Sequence, residues 1–269
     1  MIIDILMGNK KYFLIIFIIS FSINNAFAVE PILITVSEDM DKIIFDGKWT
    51  YYTEWKKSSL NTISYNEADI KLRTAHQNDY IYIFVDFVTD THLEKIADGA
   101  IICFDTSNDK SSLPDSNDYC FMATLGGKRS FTYQGGSPFA TTSHLQKISN
   151  PDGFIAIGDV SDGNDRYSTI PHASYEFRIP TSFIGRSDVY GFYFGVYDAH
   201  FNRIYSYPED IPTNNLLQVP NPNSWGELVS LDKSLPEFHI PFLVIFLGFI
   251  LAVYITRKSN FLSKSKINY

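Results

Sequence analysis

The stretch Tyr80–Val88 reads Tyr-Ile-Tyr-Ile-Phe-Val-Asp-Phe-Val, and it decides the fold class. Successive side chains of a β-strand point to opposite faces of the sheet. One face here carries Tyr80, Tyr82 and Phe84, and the other carries Ile81, Ile83 and Val85. Because both faces are apolar, the stretch predicts a central strand, and Asn78 and Asp79 before it indicate a turn.

Similar short runs of Val, Ile, Tyr, Phe and Thr continue on both sides, separated by Asn, Asp, Gly and Pro. Such runs are typical of strands joined by turns, and no long amphipathic helical pattern interrupts them. We therefore expect an all-β fold of about ten strands, an antiparallel β-sandwich of jelly-roll type in a single domain. The other candidate strands are 70–75, 100–105, 119–125, 130–133, 174–179, 191–197 and 226–231.

The first 28 residues have the pattern of a signal peptide. Lys10 and Lys11 precede the apolar run Tyr12–Phe21, and Ala26-Phe27-Ala28 has the small-x-small spacing of a cleavage site. The alternative is a retained membrane anchor, but the run is short for a bilayer. We expect residues 1–28 to be removed on export.

A second apolar run, His239–Thr256, contains no Asp, Glu, Lys or Arg. It predicts a transmembrane helix within 236–258, followed by a short basic cytoplasmic tail, 259–269. Leu235-Pro236-Glu237-Phe238, the apolar run and Arg257-Lys258 together resemble the PEF-CTERM type of archaeal C-terminal sorting signal. That resemblance implies recognition by a sortase-like enzyme. The segment 29–235 is then the extracellular domain of a single-pass cell-membrane protein.

The whole chain has a net charge of −8, with 45% hydrophobic residues and only 2 Cys. These values exclude a disordered chain, collagen and a disulfide-dense miniprotein. Residues 29–236 contain 16 basic and 28 acidic residues, a net charge of −12. This acidity argues against a nucleic-acid partner and favours cation binding.

Cys103 lies two residues before Asp105, and Cys120 lies two residues after Asp118. If Asp105 and Asp118 flank one hairpin loop, the two cysteines face each other across it. In an exported domain we expect them to form a disulfide, and the alternative is two buried free thiols.

The loop between the cysteines is rich in the hard oxygen ligands that Ca²⁺ requires, although it is not an EF-hand. The alternative is a solvated acidic turn. A second, weaker candidate cluster contains Asp159, Asp162 and Asp165. The predicted metal ligands of the main loop are Asp105, Asn108, Asp109, Asp115, Asn117 and Asp118.

An ordered set of motifs resembles carbohydrate-binding module family 9 and related DOMON-like sandwiches. The resemblance covers nearly all of the segment 29–235 and implies a non-catalytic sugar-binding β-sandwich with bound calcium. The motifs are Phe45-Asp46-Gly47-Lys48 with Trp55, the strand Tyr80–Ile83 closing at Val88-Thr89-Asp90, Asp98–Asp105, Tyr175-Glu-Phe-Arg-Ile-Pro180, Gly191–Asp198 and Pro222-Asn-Ser-Trp225-Gly226.

Sugar-binding platforms are exposed aromatic side chains next to a few polar groups. The family binds its ligand between two Trp, whereas Trp55 and Trp225 here lie in fold-defining motifs and are expected in the core. The alternative for any aromatic residue is that it simply fills the sandwich. The candidate ligand-binding residues are Trp49, Tyr52, Tyr133, Phe139 and Tyr207.

No catalytic motif is evident, and the six His have no metal-binding spacing, so we expect no enzymatic activity. The sequence predicts a membrane-anchored extracellular module for a glycan or cell-surface polymer, with possible structural calcium. One alternative is a DOMON-like haem-binding electron carrier with Met122, His92 or His76 as axial ligand. Another is a surface-structural or adhesion protein without a small ligand.

Overall fold

A computed structural model describes residues 29–65, 67–127, 129–137, 144–208, 215–216 and 218–231, together with Gly248. The predicted signal peptide and cytoplasmic tail lie outside this described part, as does the membrane segment apart from Gly248. None of the helices in the described part is both long and apolar enough to span a bilayer.

The described residues form thirteen strands and three short helical turns. The turns are two 3-10 turns, Met40–Lys42 and Pro222–Ser224, and the single-turn helix α1, Thr181–Ile184. The strands are β1 (Ile32–Val36), β2 (Ser59–Ser64), β3 (Asp69–Gln77), β4 (Tyr80–Phe87), β5 (Gly99–Asp105), β6 (Asp118–Thr124), β7 (Ser130–Gln134), β8 (Gln146–Ile148), β9 (Ile155–Val160), β10 (Ala173–Pro180), β11 (Val189–Asp198), β12 (Arg203–Tyr207) and β13 (Gly226–Ser230).

These strands form two sheets that share β1. Sheet 1 has the order β8-β7-β6-β5-β11-β13-β1, with β12 pairing with β11 beside β13. Sheet 2 has the order β1-β3-β4-β10-β9, with β2 pairing with β3. The first half of β1 pairs with β13 and its last two residues pair with β3, so one strand joins the two layers.

The expected all-β sandwich is therefore confirmed, with two corrections. There are thirteen described strands rather than about ten, because polar or very short strands such as β2 and β8 carry little apolar signal. The sandwich is also not purely antiparallel, since β1 runs parallel to both β13 and β3. Parallel pairs join segments far apart in sequence, and local patterns do not report on them.

The central position predicted for β4 is confirmed, because it pairs along its whole length with β3 and β10. Its Ile81, Ile83, Val85 and Phe87 lie in the core between the sheets, which also contains buried residues of β5, β6 and β11. Phe84 and Tyr82 lie in a second apolar cluster with Trp49 and Trp55. The segment that carries these tryptophans thus covers the outer face of sheet 2.

A buried carboxylate holds that covering segment in place. Oε2 of Glu176, on β10, accepts hydrogen bonds from the backbone N–H groups of Asp46 (2.9 Å) and Gly47 (2.8 Å). Its Oε1 accepts the indole N–H of Trp55 at 3.0 Å. Two points of the covering segment are therefore held by one fully buried side chain that is distant from them in sequence.

Candidate functional site

Four carboxylates converge at one end of the sandwich, and we call this group the carboxylate cluster: Asp90, Glu94, Asp98 and Asp198. Asp90 and Glu94 lie in the loop after β4, Asp98 immediately precedes β5, and Asp198 ends β11. Carboxylate oxygens of Glu94, Asp98 and Asp198 lie within 4.8 Å of one another. The three aspartates are almost completely buried, at 0–3% exposure.

Asp98 and Asp198 also organise the two loops of this end through backbone hydrogen bonds. Asp98 accepts the N–H groups of Glu94 at 2.7 Å and Ala199 at 2.9 Å. Asp198 accepts the N–H of Phe201 at 3.1 Å. The first loop is thereby linked to the turn that connects β11 to β12.

Several oxygens of the carboxylate cluster are buried without a hydrogen-bond partner. They are both carboxylate oxygens of Asp90 and Oε2 of Glu94, and the buried hydroxyl of Tyr175 also has none. Burial raises the pKa of Tyr175, and the charges of Asp98 and Asp90 in the cluster raise it further. Within the described part of the chain, the only ion pair made by these four carboxylates is Glu94 with His200, at 3.3 Å.

The electrostatics reflect this lack of compensation. Burial raises the pKa of Asp90 to about 8, and the neighbouring Asp98 and Asp198 carboxylates raise it further. Burial likewise raises the pKa of Asp98 to about 6, against two backbone hydrogen bonds that lower it. Three buried aspartates beside the partly exposed Glu94, with several oxygens unpartnered, favour either protons or a cation. Hard oxygen donors of this kind fit Ca²⁺.

Three rings lie on the surface beside the carboxylate cluster, and we call them the aromatic shelf: His92, His200 and Phe201. The two imidazoles stack with centroids 3.9 Å apart and an angle of 7° between their planes. Phe201 stands edge-on to both, at 5.4 Å and 4.8 Å, and is 60% exposed. The shelf and the cluster therefore lie on the same two loops.

The predicted disulfide is confirmed, and it joins Cys103 on β5 to Cys120 on β6. The two residues are direct cross-strand partners, and Asp105 and Asp118 face each other at the end of the same hairpin. The geometry expected from the spacing of the four residues is therefore observed.

The loop beyond this disulfide uses its acids mainly to hold its own backbone. Asp105 accepts the N–H groups of Asp109 (3.3 Å) and Lys110 (3.0 Å), and Asp118 accepts that of Asp115 at 2.7 Å. Asp115 in turn accepts the N–H of Asn117 at 2.9 Å.

Three oxygens of this loop still lack partners, namely Oδ1 of Asn108, Asn117 and Asp118. Burial raises the pKa of Asp118 to about 7. The calcium role of this loop stays a prediction. In the weaker second cluster, Asp162 pairs with Lys48 at 2.6 Å, and Asp165 turns inward.

The candidate ligand-binding aromatics are scattered rather than gathered on one face. Tyr52 is 74% exposed and Tyr133 is half-buried, whereas Phe139 lies outside the described residues. The expected exposure of Trp49 and Tyr207 is wrong, since they are 1% and 6% exposed. Trp49 packs edge-on against Phe84, and the Tyr207 hydroxyl donates to the Glu30 carbonyl at 2.8 Å.

The core positions expected for Trp55 and Trp225 are confirmed, at 0% and 4% exposure. The sequence reasoning missed the carboxylate cluster and the aromatic shelf. The sequence does contain a signal for the carboxylate cluster, because Asp90, Asp98 and Asp198 each lie at one end of a motif given above. The spacing of the six histidines gives no sign of a contact, yet His92 and His200 stack despite their separation in sequence.

Comparisons with known proteins complete the description of the site. No protein-family model matches the chain, and no curated protein matches it. The chain is similar to a solved carbohydrate-binding module of family 9 from Caldicellulosiruptor kristjanssonii in complex with cellotriose. That likeness has 14% identity and a TM-score of 0.45, and covers 77% of this chain and 98% of that one. A glucose complex of such a module from the same organism gives 14% identity and a TM-score of 0.44, covering 76% and 97%.

Proposed function

We propose that the chain is a non-catalytic, membrane-anchored extracellular binding module for carbohydrate or a cell-surface polymer, with calcium in the carboxylate cluster. The observation that carries this proposal is the exposed aromatic shelf beside buried carboxylate oxygens without partners. The ordered motifs that resemble carbohydrate-binding module family 9 support it independently.

The aromatic shelf has the chemistry that sugar rings require. An exposed phenyl ring packs against the C–H face of a pyranose, and imidazole nitrogens exchange hydrogen bonds with hydroxyl groups. Phe201 supplies the first group, and His92 and His200 supply the second. The platform is therefore proposed to lie here rather than at the five aromatics expected from the sequence.

Calcium bound by the carboxylate cluster would supply positive charge to four acids whose only described ion pair is that of Glu94 with His200. Asp90, Glu94, Asp98 and Asp198 would hold the ion, with the Tyr175 hydroxyl close by. Because Asp98 and Asp198 fix the loop and the turn that carry the shelf, the ion is proposed to stabilise the sugar platform.

Glycan binding is tested by calorimetry of the full chain against a panel of oligosaccharides that includes glucose and cellotriose. Phe201→Ala removes an exposed ring, so we expect the fold to persist and affinity to fall about 10-fold or more, as for loss of a binding hot spot. Tyr52→Ala is the matched control, because Tyr52 is the other strongly exposed aromatic among the residues that the structure describes. Binding that is lost in Tyr52→Ala and retained in Phe201→Ala would place the platform elsewhere. Absence of binding to the whole panel would reject sugar as the ligand.

Calcium binding is tested by the thermal midpoint of one variant, measured with excess chelator and with calcium. In excess chelator, Asp90→Asn removes a buried, uncompensated carboxylate, so we expect the thermal midpoint to rise. With millimolar Ca²⁺, the wild type gains stability and Asp90→Asn gains little, because a ligand is gone. Asp152→Asn, at an exposed position, is the control and should respond to calcium as the wild type does. Equal midpoints of the wild type with calcium and with chelator would reject the ion.

The location of the protein is proposed from the two terminal segments of the sequence. Mass spectrometry of the N-terminus of the mature protein should begin at Val29 if the signal peptide is cleaved. Protease added outside intact cells should digest the domain. Protection from that protease would contradict an extracellular position.

A further inference from the structure

A second buried group of ionisable side chains lies under the loops that cover sheet 2. It contains Asp86 on β4, Asp165 in the loop after β9, and His172 immediately before β10. Asp86 and His172 are 0% exposed, and Asp165 is 8% exposed. This group is separate from the carboxylate cluster and shares no residue with it.

The imidazole of His172 is oriented through Nδ1 by the Ile170 carbonyl and the Ser161 hydroxyl. Nδ1 lies 2.7 Å from the Ile170 carbonyl oxygen and 2.9 Å from Oγ of Ser161. A carbonyl oxygen only accepts hydrogen bonds, so Nδ1 carries a proton and donates it to the Ile170 carbonyl. Nε2 therefore points toward the two carboxylates, and it lies 2.6 Å from Oδ1 of Asp86. A ring held through one nitrogen, with the other directed at acids, is the usual arrangement of a metal-binding histidine.

Each carboxylate has its Oδ1 toward Nε2 of His172, at 2.6 Å for Asp86 and 3.9 Å for Asp165, and a second oxygen that is buried without a partner. Oδ1 of Asp165 accepts the N–H groups of Tyr167 (2.7 Å) and Ser168 (3.0 Å), while its Oδ2 is buried without a partner. Oδ2 of Asp86 is likewise buried without a partner. A proton shared between His172 and Asp86 satisfies the 2.6 Å contact but leaves both of these oxygens unpaired.

The basic residues nearby do not compensate these acids. The Arg73 guanidinium donates to the carbonyls of Trp55 (3.1 Å) and Ser58 (3.2 Å) and to the Tyr167 hydroxyl. In the described portion of the chain, no Lys or Arg forms a salt bridge with Asp86 or Asp165. Two buried carboxylates thus face one imidazole, whose charge when protonated can balance only one of them.

We propose that Asp86, Asp165 and His172 bind a divalent transition-metal ion, with Zn²⁺ as the first candidate. One imidazole nitrogen and two carboxylate oxygens suit zinc, whereas calcium takes oxygen ligands only. The ion takes the place of the shared proton, which is released on binding, and gives both unpaired oxygens a partner. Entry lies through the covering loop, whose Asp162–Asn164 and Arg166 lie toward solvent.

The test is zinc binding by the purified full chain after removal of metal, by competition with a chromophoric chelator. Excess Ca²⁺ is present, so that hard oxygen sites are filled. We expect one Zn²⁺ per chain with a dissociation constant of about 1 μM or below, and a rise of the thermal midpoint with zinc. Co²⁺ added in place of Zn²⁺ should show visible d–d bands.

Asp165→Asn is the decisive variant, because Asn keeps the Oδ1 acceptor for Tyr167 and Ser168 and loses only the unpaired oxygen. We expect zinc affinity to fall about 100-fold, while the metal-free variant folds at least as stably as the wild type. Asp86→Asn is the second variant and keeps an acceptor for His172. Asp162→Asn, in the same loop but outside the group, is the control and should bind zinc normally.

Zinc binding that is equal in the wild type, Asp165→Asn and Asp86→Asn would overturn the proposal. So would a wild type that binds no Zn²⁺ below about 100 μM, because the group would then be a proton-sharing pair. Asp90→Asn must retain zinc binding, which separates this site from the calcium site of the proposed function. Failure of either proposal therefore leaves the other intact.

Discussion

Glu176→Gln tests whether one carboxylate fixes the segment that covers sheet 2. The wild-type side chain receives three N–H donors, from Asp46, Gly47 and the Trp55 indole, in a place without solvent. Gln offers one oxygen, which can still serve the two backbone donors. Its amide nitrogen then faces the indole N–H of Trp55, donor against donor.

The cost follows from that single mismatch. A buried donor without an acceptor costs about 1–3 kcal/mol, so we expect Glu176→Gln to lower the free energy of unfolding by about 2 kcal/mol. A protonated Glu keeps two oxygen acceptors and can turn its single O–H away from Trp55, whereas the Gln amide nitrogen has no lone pair to accept the indole N–H. The mismatch in the Gln variant is therefore present at every pH, and only the stability of the wild type changes with pH.

The cost should depend on pH with a definite sign. Burial raises the pKa of Glu176 well above its usual value, although the three donors oppose the rise. A carboxyl whose pKa is raised on folding contributes stability below its unfolded pKa and loses it as pH rises through the folded pKa. The gap between the wild type and Glu176→Gln is therefore expected to be widest near pH 5 and to narrow toward alkaline pH.

Urea unfolding of the wild type, Glu176→Gln, Trp55→Phe and the double variant measures both the cost and its origin. Because Trp55→Phe removes the indole donor, Glu176→Gln should cost at least about 1 kcal/mol less in that background. Glu227→Gln, at a half-buried position, is the control and should change stability by less than about 0.5 kcal/mol. An unchanged free energy of unfolding in Glu176→Gln near pH 5 would refute the reasoning. So would a coupling energy of zero between Glu176→Gln and Trp55→Phe.

Two further predictions concern the disulfide and a glycine. Replacing Cys103 and Cys120 by Ala opens a cross-link between residues 17 apart, which should lower the free energy of unfolding by about 3 kcal/mol in urea titrations. A loss below about 1 kcal/mol would show that the loop is already ordered in the unfolded chain. Gly47→Ala should cost at least about 2 kcal/mol, because Gly47 has φ +91° and its added Cβ would lie 2.6 Å from the Asp159 nitrogen. Gly163→Ala, with nothing near its Cβ, is the control, and equal midpoints of the two alanine variants would contradict this packing.

The parts of the fold that could be predicted are those with a local signal. β4 can be predicted because both of its faces are apolar. The Cys103–Cys120 pair can be predicted because the two cysteines are spaced symmetrically about one hairpin. β1 could not be placed in the same way. Its position depends on partners in β13 and β3, and its five residues do not reveal which strands they pair with.

The candidate site was less accessible to sequence reasoning for a related reason. The acidic loop after Cys103 attracts attention because its carboxylates are close in sequence, yet they mostly bind the loop's own N–H groups. Asp90 and Asp198 meet only through the fold. Sequence reasoning therefore selected acids that are close along the chain, and these hold their own turn. It did not select the carboxylate cluster, whose oxygens lack partners.

The position of β13 in sheet 1 sets an order of events for folding. This strand, near the end of the domain, lies between β11 and β1, so the link between these two strands is missing until residues 226–230 are available. During synthesis, which begins at the N-terminus, β1 has no partner in sheet 1 until β13 has been made. Closure by so distant a pair costs loop entropy and slows folding. Emergence of β13 is therefore the step at which the two layers become one cooperative unit.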